Sequence, residues 1–180
     1  NRFGRADETM DVHNLIEAGR MKKMICAFTA DPHPSRVSAF ERMYEEGEIE
    51  AELVPQGTMA ERIRAAGAGI GAFYTPTSVG TELAEGKEHR EIGGRTHVLE
   101  HPLPADYAFI RAWKADTLGN IQFRLTLRNF NPVMAMAAKT TLVEVEMPIV
   151  APGELDPDQI HVPGIYVDRI IAIPPDGIWE

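Results

Sequence analysis

Apolar and polar positions in the first half of the chain have periods that predict helices and strands in turn. Residues 11–20 and 34–47 have helical spacing, and each of these segments ends at a glycine. Residues 23–29 form an apolar run typical of a buried strand, and residues 49–54 alternate like a half-buried one. With residues 70–74 as the next strand, this order predicts an α/β fold with an open, largely parallel sheet and flanking helices.

After Thr81 the pattern changes to short strands and turns. Gly93 and Gly94 separate two short runs, which predicts a two-residue β-hairpin with Arg90 opposite His97. The remaining elements are expected as strands at 107–115, 120–127, 139–146 and 167–173, and as a helix at 131–138 with Asn131 as its N-cap. We therefore predict one α/β domain with β-hairpin additions over residues 1–180.

Glycine is concentrated between Pro55 and Thr81. This stretch holds five of the chain's 15 glycines, namely Gly57, Gly67, Gly69, Gly71 and Gly80. Clustered glycine indicates positive φ angles or backbone close to a ligand. Thr58 and Glu61 match a capping box with Thr58 as N-cap, so we expect a helix to begin just after Gln56 and Gly57. Its first N–H groups would be free to bind a carboxylate or phosphate. The alternative is that the glycines only permit tight packing.

Composition argues against several classes of protein. The chain has 18 Lys+Arg against 27 Asp+Glu, a formal charge of −9, which disfavours a nucleic-acid or anionic-membrane surface. No apolar run is long enough to span a bilayer. The lone Cys26 lies in an apolar run, and without a signal peptide a cytoplasmic location is expected. Since the chain begins at Asn1, we expect that an N-terminal part has been trimmed or is absent.

Motifs for metal, nucleophilic or nucleotide chemistry are weak. The hairpin region gathers Glu88, His89, Glu91, His97, Glu100 and His101. Adjacent residues of a strand point to opposite faces, so these side chains do not converge and no metal site is predicted. There is no G-x-S-x-G elbow or G-x-x-x-x-G-K-[ST] loop, and the glycines at 67–71 follow a helix instead of a strand. The residues alone indicate an α/β domain with a polar, glycine-lined pocket near Gln56.

Long segments in several places carry a family resemblance. They are 54–64, 67–69, 72–77, 84–88, 114–116, 119–120, 128–135, 153–161 and 163–167. Together they resemble the A (alpha) subunit of family I CoA-transferases of the 3-oxoacid type, which includes succinyl-CoA:3-ketoacid and 3-oxoadipate CoA-transferases. The resemblance covers nearly the whole chain and implies the fold that these enzymes share with ribose-5-phosphate isomerases. It also implies that residues 1–180 form an alpha-subunit domain without the N-terminal part of the family domain.

The resemblance implies a transferase that works with a second polypeptide, the B (beta) subunit. CoA would pass from an acyl-CoA, such as succinyl-CoA, to a 3-oxoacid or other short carboxylic acid through a glutamyl-CoA intermediate. The nucleophilic glutamate would belong to the beta subunit, in a Glu-Asn-Gly motif that this chain lacks. No catalytic residue is therefore expected here, and Glu61 is assigned only to the helix cap. Coenzyme A would be a substrate, with no permanently bound cofactor, in a hetero-oligomer of one or two alpha/beta pairs.

Binding positions implied by the resemblance fall into three groups. Gln56 and Gly57 would present amide groups to the substrate or acyl intermediate. Asn1 and Arg2 would correspond to an Asn-Asn pair of the family, and Arg2 would clamp a second carboxylate of a diacid. The residues expected to line CoA or its loop are Gly67, Ala68, Gly69 and Phe73.

Two alternatives to the transferase stay open. The chain would serve as a non-catalytic scaffold or regulatory subunit if it contributed nothing to the reaction. A sugar-phosphate isomerase-like enzyme would instead need a catalytic carboxylate inside a phosphate-binding loop of the same chain, and no such combination is found in the sequence.

Overall fold

The computed structural model describes residues 12–28 and 38–173. Their helices are α1 (Val12–Glu17), α2 (Ala39–Glu45), α3 (Gln56–Gly67) and α4 (Asn131–Ala137). Their strands are β1 (Lys23–Cys26), β2 (Glu50–Leu53), β3 (Phe73–Thr75), β4 (His89–Ile92), β5 (Arg95–Glu100), β6 (Ala105–Ala112), β7 (Lys114–Ala115), β8 (Ile121–Gln122), β9 (Ala138–Val145) and β10 (Arg169–Ala172). None of the described helices is both long and apolar enough to cross a membrane.

The chain divides into two compact units. One comprises residues 1–59 and 77–86, and the other comprises residues 60–76 and 87–180. The first contains the parallel pair β1–β2, in register from Lys23 opposite Glu50 to Cys26 opposite Leu53. Its core is the buried cluster of Ile16, Met24, Cys26, Ala39, Phe40, Met43 and Ile49. The predicted parallel pairing of the first two strands is confirmed.

Helix α2 begins later than its pattern predicts. Ser38 is extended and is the N-cap, since its side chain accepts from the Glu41 N–H at 3.1 Å and its own N–H donates to the Glu41 carboxylate at 2.7 Å. The predicted start at Pro34 lies outside the described residues. The capping box satisfies two N–H groups and fixes the first residue of the helix as Ala39.

The capping box predicted for helix α3 is wrong. The helix already begins at Gln56, because the Met59 N–H donates to the Pro55 carbonyl oxygen at 2.9 Å. Proline fixes φ near its helical value, so the chain enters the helix directly from Pro55. Thr58 therefore lies inside the first turn, where its hydroxyl is buried without a hydrogen-bond partner. Glu61 pairs with Arg64 at 2.8 Å instead of reaching back to an N-cap.

The second unit is built on the parallel sheet β10–β9–β6. One face of β6 packs Ala108, Ile110 and Ala112 into the main apolar cluster with Val143 of β9, while Tyr107 and Phe109 on its other face are exposed. The predicted strands at 139–146 and 167–173 are confirmed as β9 and β10. A sheet of this kind is expected to bury both faces.

The antiparallel sheet β3–β5–β4 belongs to the same unit. The predicted hairpin is confirmed: Gly93 and Gly94 have φ angles of 59° and 75°, and Arg90 lies opposite His97. The prediction that the run at 70–74 continues the first parallel sheet is wrong, because β3 pairs antiparallel with β5. A three-residue strand gives no periodicity from which to choose its partner.

The strand predicted at 120–127 is also wrong over most of its length. It ends at Gln122, since the Phe123 N–H donates to the His161 ring, and a 3-10 helix follows at Leu125–Arg128. Helix α4 begins at Asn131 with Phe130 as N-cap, one residue before the predicted position. Here the Phe123 N–H donates to a side chain instead of to a neighbouring strand. The periodicity of a sequence does not show where a side-chain acceptor takes the place of a strand partner.

A tight turn joins β7 to β8. The buried Asp116 carboxylate accepts hydrogen bonds from the Leu118 and Asn120 N–H groups, each at 3.0 Å. Asn120 in turn accepts from the Gly164 N–H at 2.9 Å. A Cβ atom on Gly164 would lie 2.1 Å from the Leu118 carbonyl oxygen, so only glycine fits at this position.

Candidate functional site

The candidate site predicted around Gln56 lies at the carboxyl end of the parallel pair β1–β2. The ladder continues past the strands through a hydrogen bond from the Val54 N–H to the Cys26 carbonyl oxygen at 2.9 Å, and α3 begins two residues later. In α/β folds the crevice beyond the carboxyl ends of parallel strands is the usual ligand position. The fold therefore gives the first turn of α3 a position suited to binding.

Gln56 and Gly57 are the first two residues of α3 and are both exposed. The first intrahelical hydrogen bond is donated by Met59, so the N–H groups of Gln56, Gly57 and Thr58 precede the helical ladder. The positive end of the helix dipole adds to these donors and favours a carboxylate or phosphate oxygen. The chemistry available at this position is hydrogen-bond donation to an anion or to a carbonyl oxygen.

Cys26 lies at the same strand end but has no nucleophilic environment. Its side chain is buried, and burial raises the pKa of the thiol. A raised pKa lowers the fraction of thiolate at neutral pH, which is the reactive form. The structure thus supports a packing role for this cysteine.

The positions expected to line CoA or its loop lie at the other end of α3. Gly67 is the last helical residue, and a Cβ atom there would lie 2.8 Å from the Met136 side chain, so this glycine permits close packing against α4. Gly69 has a φ of 69° and ends the helix. Ala68 is exposed beside it, and Phe73 is half-buried in β3. The structure does not place them in one turn with Gln56, and their role in binding stays a prediction.

Asn1 and Arg2, the other predicted substrate-binding positions, lie outside the described residues. Their roles stay predictions. Among the described residues, no group of three or more His, Cys, Asp or Glu side chains is arranged to hold a metal ion.

Glu100, which the sequence offers only as one of several hairpin side chains that do not converge on a metal, is a buried carboxylate that connects α3 to the hairpin. Glu100 is 3% exposed, accepts from Lys87 Nζ at 2.5 Å and lies 4.0 Å from Arg62 Nε. Arg62 Nε also donates to the His101 carbonyl oxygen at 2.9 Å. The sequence pattern does not predict that Glu100 is buried. The residue lies in an otherwise polar hairpin, where a charged side chain is expected to be solvated.

An exposed cluster lies at β3 and β4, the two strands that flank β5. The Tyr74 hydroxyl donates to the Glu88 carboxylate, and Arg90 pairs with Glu88 at 2.9 Å while lying 4.5 Å from the centre of the Tyr74 ring. The hydrogen bond from Tyr74 lowers the pKa of Glu88 and raises the pKa of the phenol. These contacts hold the phenol protonated, so it acts as a hydrogen-bond donor.

Comparison with known proteins identifies relatives over nearly the whole chain. Residues 3–172 match the Coenzyme A transferase family. The chain is 56% identical over 157 residues to the alpha polypeptide of a probable succinyl-CoA:3-ketoacid coenzyme A transferase of Bacillus subtilis, covering 87% of this chain and 63% of that protein. It is 54% identical over 159 residues to the alpha polypeptide of a 3-oxoadipate CoA-transferase of Pseudomonas putida, covering 88% and 67%.

Solved structures share the fold. Glutaconate coenzyme A-transferase from Acidaminococcus fermentans aligns with a TM-score of 0.77 at 24% identity, covering 92% of this chain and 59% of that one. A variant of the decarboxylase AibA/AibB aligns with a TM-score of 0.73 at 25% identity, covering 92% and 63%. These structures support the predicted α/β fold.

The chain spans about two thirds of the length of the curated relatives that it matches, from 63% to 67% in the two named above. The family match nevertheless extends over residues 3–172 of the 180. The chain therefore belongs to the Coenzyme A transferase family.

Proposed function

We propose that this chain is the alpha-subunit part of a CoA-transferase that moves CoA from an acyl-CoA, such as succinyl-CoA, to a 3-oxoacid or another short carboxylic acid. The observation that carries the proposal is the identity of 56% and 54% to two relatives named as the alpha polypeptides of such enzymes. In this proposal the chain works with a beta subunit in a hetero-oligomer of the cytoplasm.

The proposed reaction proceeds through a glutamate of the partner. Its carboxylate attacks the thioester carbonyl, CoA leaves as a thiolate, and a mixed anhydride remains. The thiolate then attacks the glutamyl carbonyl, which releases the donor as a free acid and leaves a glutamyl-CoA thioester. The acceptor carboxylate then attacks the glutamyl-CoA carbonyl, which releases the CoA thiolate and forms a second mixed anhydride. The thiolate attacks the acceptor's carbonyl in that anhydride, which forms the new acyl-CoA and frees the glutamate carboxylate.

The alpha subunit would contribute hydrogen-bond donors to this reaction. A carboxylate is a weak nucleophile toward a thioester, so the oxyanion that forms at the carbonyl needs fixed donors. We assign this task to the Gln56 side chain and to the first-turn N–H groups of α3, where exposed donors and the positive helix end coincide. Asn1 and Arg2 would contact the acceptor acid.

The fold alone does not decide the reaction, because a decarboxylase has the same one. The transferase is favoured over a decarboxylase because identity to the named transferase relative is 56%, against 25% to the decarboxylase. A sugar-phosphate isomerase would need its catalytic carboxylate in this chain, and the buried carboxylate of Glu100 is already bound by Lys87.

The proposal is tested by reconstitution with a beta subunit. The chain alone, the partner alone and the complex are incubated with succinyl-CoA, and the proteins are digested and analysed by mass spectrometry for a CoA adduct. We expect an adduct only in the complex and only on a partner peptide, followed by transfer to acetoacetate. An adduct on this chain, or transfer without the partner, would contradict the proposal.

A partner variant without its nucleophilic glutamate is the control. It should still form the complex, yet give neither adduct nor transfer. A complex that releases carbon dioxide from the acid, without forming a new acyl-CoA, would replace the transferase by the decarboxylase function.

A further inference from the structure

A polar cleft of about 360 Å³ lies in the second unit beside the short antiparallel pair β7–β8. Its charged and amide-bearing side chains are those of Lys114, Gln122, Glu154, Asp156 and Gln159. The rest of its lining is apolar or aromatic and consists of Trp113, Phe123, Leu155 and His161. Such a lining suits a small ligand that has a polar group on an apolar arm.

Gln122 presents a buried amide group to this cleft. It lies opposite Lys114 in the β7–β8 pair, so the two side chains are on the same face of that pair. The residue is 7% exposed, and among the described residues its side-chain amide has no hydrogen-bond partner. A buried amide without a partner costs free energy, and a ligand that pairs with it in the cleft removes that cost. The amide therefore indicates that the cleft takes a ligand.

The charges of the lining favour a cation. Glu154 and Asp156 are exposed carboxylates, and neither has an ion-pair partner among the residues that the structure describes. The ammonium group of Lys114 lies instead over the Trp113 ring, 4.2 Å from its centre. Two carboxylates against one ammonium group leave one negative charge without compensation, which repels an anion and attracts a cation.

Groups next to the cleft do not reverse this balance. Burial and the charge of Arg128 lower the pKa of His161, so the imidazole ring is neutral at pH 7. Arg128 contacts the His161 ring but does not line the cleft. Its positive charge is offset by Asp158, whose N–H donates to the Asp156 carboxylate at 3.0 Å. The surroundings thus leave the preference for a singly charged cation in place.

We propose that this cleft binds a small aliphatic amine as its ammonium ion. The ammonium group donates to the amide oxygen of Gln122 and to the carboxylates of Glu154 and Asp156, which accept charge-assisted hydrogen bonds. The apolar arm of the amine packs against Phe123 and Leu155. No residue assigned to the transferase reaction takes part, so either proposal can fail without the other.

The test is a titration of the nitrogen-15-labelled 180-residue chain, followed by NMR at pH 7 and constant ionic strength. The side-chain amide of Gln122 and the indole N–H of Trp113 are the reporters, and Gln122→Leu and Trp113→Phe assign their signals. n-Butylammonium should shift both signals saturably, with a dissociation constant of about 1–10 mM. n-Butanol, which has the same arm without a charge, should bind about tenfold more weakly. Butyrate should give no saturable shift up to about 100 mM.

Two carboxylate-to-amide changes separate the cleft from general attraction to an acidic chain. Glu154→Gln removes a carboxylate of the lining and should weaken n-butylammonium binding about three- to tenfold. Asp158→Asn makes the same charge change outside the lining and should alter the binding by less than about twofold. Both side chains are exposed, so both variants should keep the circular dichroism spectrum of the parent chain.

Gln122→Leu tests the buried amide. Leucine has a similar volume and no polar side-chain atom, so the free energy of unfolding should be unchanged or higher. Binding of n-butylammonium, followed at the Trp113 indole, should weaken about fivefold or more. A clear loss of stability would show that the fold itself uses the amide and would remove the basis of the site.

The opposite binding results would also overturn the site. Equal weakening by Glu154→Gln and Asp158→Asn, or no saturable shift up to about 100 mM n-butylammonium, would show that the cleft binds no ammonium group. Equal affinities for n-butanol and n-butylammonium would show that only the apolar arm is recognised. Tighter binding of Nα-acetyl-lysine methylamide than of n-butylammonium would assign the cleft to a lysine side chain of a protein instead of a small amine.

Discussion

Gln56 is an exposed side chain, and its proposed role in the reaction depends on where its helix begins. The amide stands at the first position of α3 and has no described role in packing, so its removal should affect the reaction more than the fold. In the reconstituted complex, Gln56→Ala should lower the transfer rate by about 10- to 1,000-fold, as expected for losing one donor to an oxyanion or substrate. Steady-state rates with succinyl-CoA and acetoacetate measure the effect.

The matched control for this change is Glu61→Ala on the same helix. Glu61 pairs with Arg64 in solvent and is given no role in the reaction, so the transfer rate should stay within about twofold of the parent. Equal rates for the Gln56 variant and the parent would show that this amide is dispensable. A loss of helical signal in the Gln56 variant would assign it to structure instead.

Glu100 shows the opposite case, a charged side chain that acts through the fold. Its carboxylate is buried and compensated by Lys87 and Arg62. Glu100→Gln removes the negative charge that both cations face, and removing one member of a buried pair is costly. Because Lys87 is partly exposed, we expect the free energy of unfolding to fall by about 2–3 kcal/mol in urea denaturation.

The comparison variant is Glu61→Gln, which removes a carboxylate from an exposed pair. Its effect on the free energy of unfolding should stay within about 0.5 kcal/mol. If the two glutamine variants were equally stable, the Glu100 cluster would contribute nothing beyond a surface ion pair.

Helix starts differ in a way that mutations at two hydroxyl side chains can measure. Ser38 caps α2, whereas the Thr58 hydroxyl is buried in α3 without a partner. Ser38→Ala should lower the free energy of unfolding by about 1 kcal/mol, because it leaves an N–H group without its acceptor. Thr58→Val should be neutral or stabilising, because it removes a buried polar atom that makes no hydrogen bond. Thermal and urea unfolding of both variants provide the measurement.

If Thr58→Val lowered the free energy of unfolding more than Ser38→Ala does, the predicted capping box of α3 would be correct, with Thr58 at the N-cap. Ser38→Asp is the control, because aspartate caps a helix as well as serine does, so it should retain most of the parent stability.

Periodic elements were predictable from the sequence, and competition between partners was not. The strand at β1 follows from its apolar run, the strands at β2 and β9 from alternation, and the hairpin turn at Gly93 from turn chemistry. The start of α3 was missed because two local signals, Pro55 and Thr58, favour different first residues, and only the hydrogen bond to Pro55 decides between them. For the same reason the sequence prediction placed Gln56 before the helix, whereas Gln56 is its first residue.

The hydrogen bond between Phe123 and His161 was unpredictable for a different reason. The segment around His161 was part of the family resemblance, but nothing local indicates that its ring accepts from the Phe123 N–H, which lies 38 residues earlier. Long-range side-chain acceptors of this kind depend on the tertiary fold and leave no period in the sequence. The same applies to the pairing of Glu100 with Lys87 and Arg62.

On the scale of the whole molecule, the parallel sheet β10–β9–β6 has one apolar face packed and one face exposed. Phe109 is 73% exposed and borders an open cleft of about 530 Å³ with Leu142 and Ile171. Parallel sheets normally have layers on both faces. The chain also spans about two thirds of the length of its relatives.

The contact between Gly164 and the Leu118 carbonyl group has a consequence for recombining related proteins. Loops 116–120 and 163–166 meet backbone to backbone, and the Asn120 amide locks them together through the Gly164 N–H. The two loops are distant in the chain, but they must be taken from the same parent when related sequences are recombined. A chimaera that takes these two loops from different parents folds only where a glycine at the second loop meets an asparagine at the first.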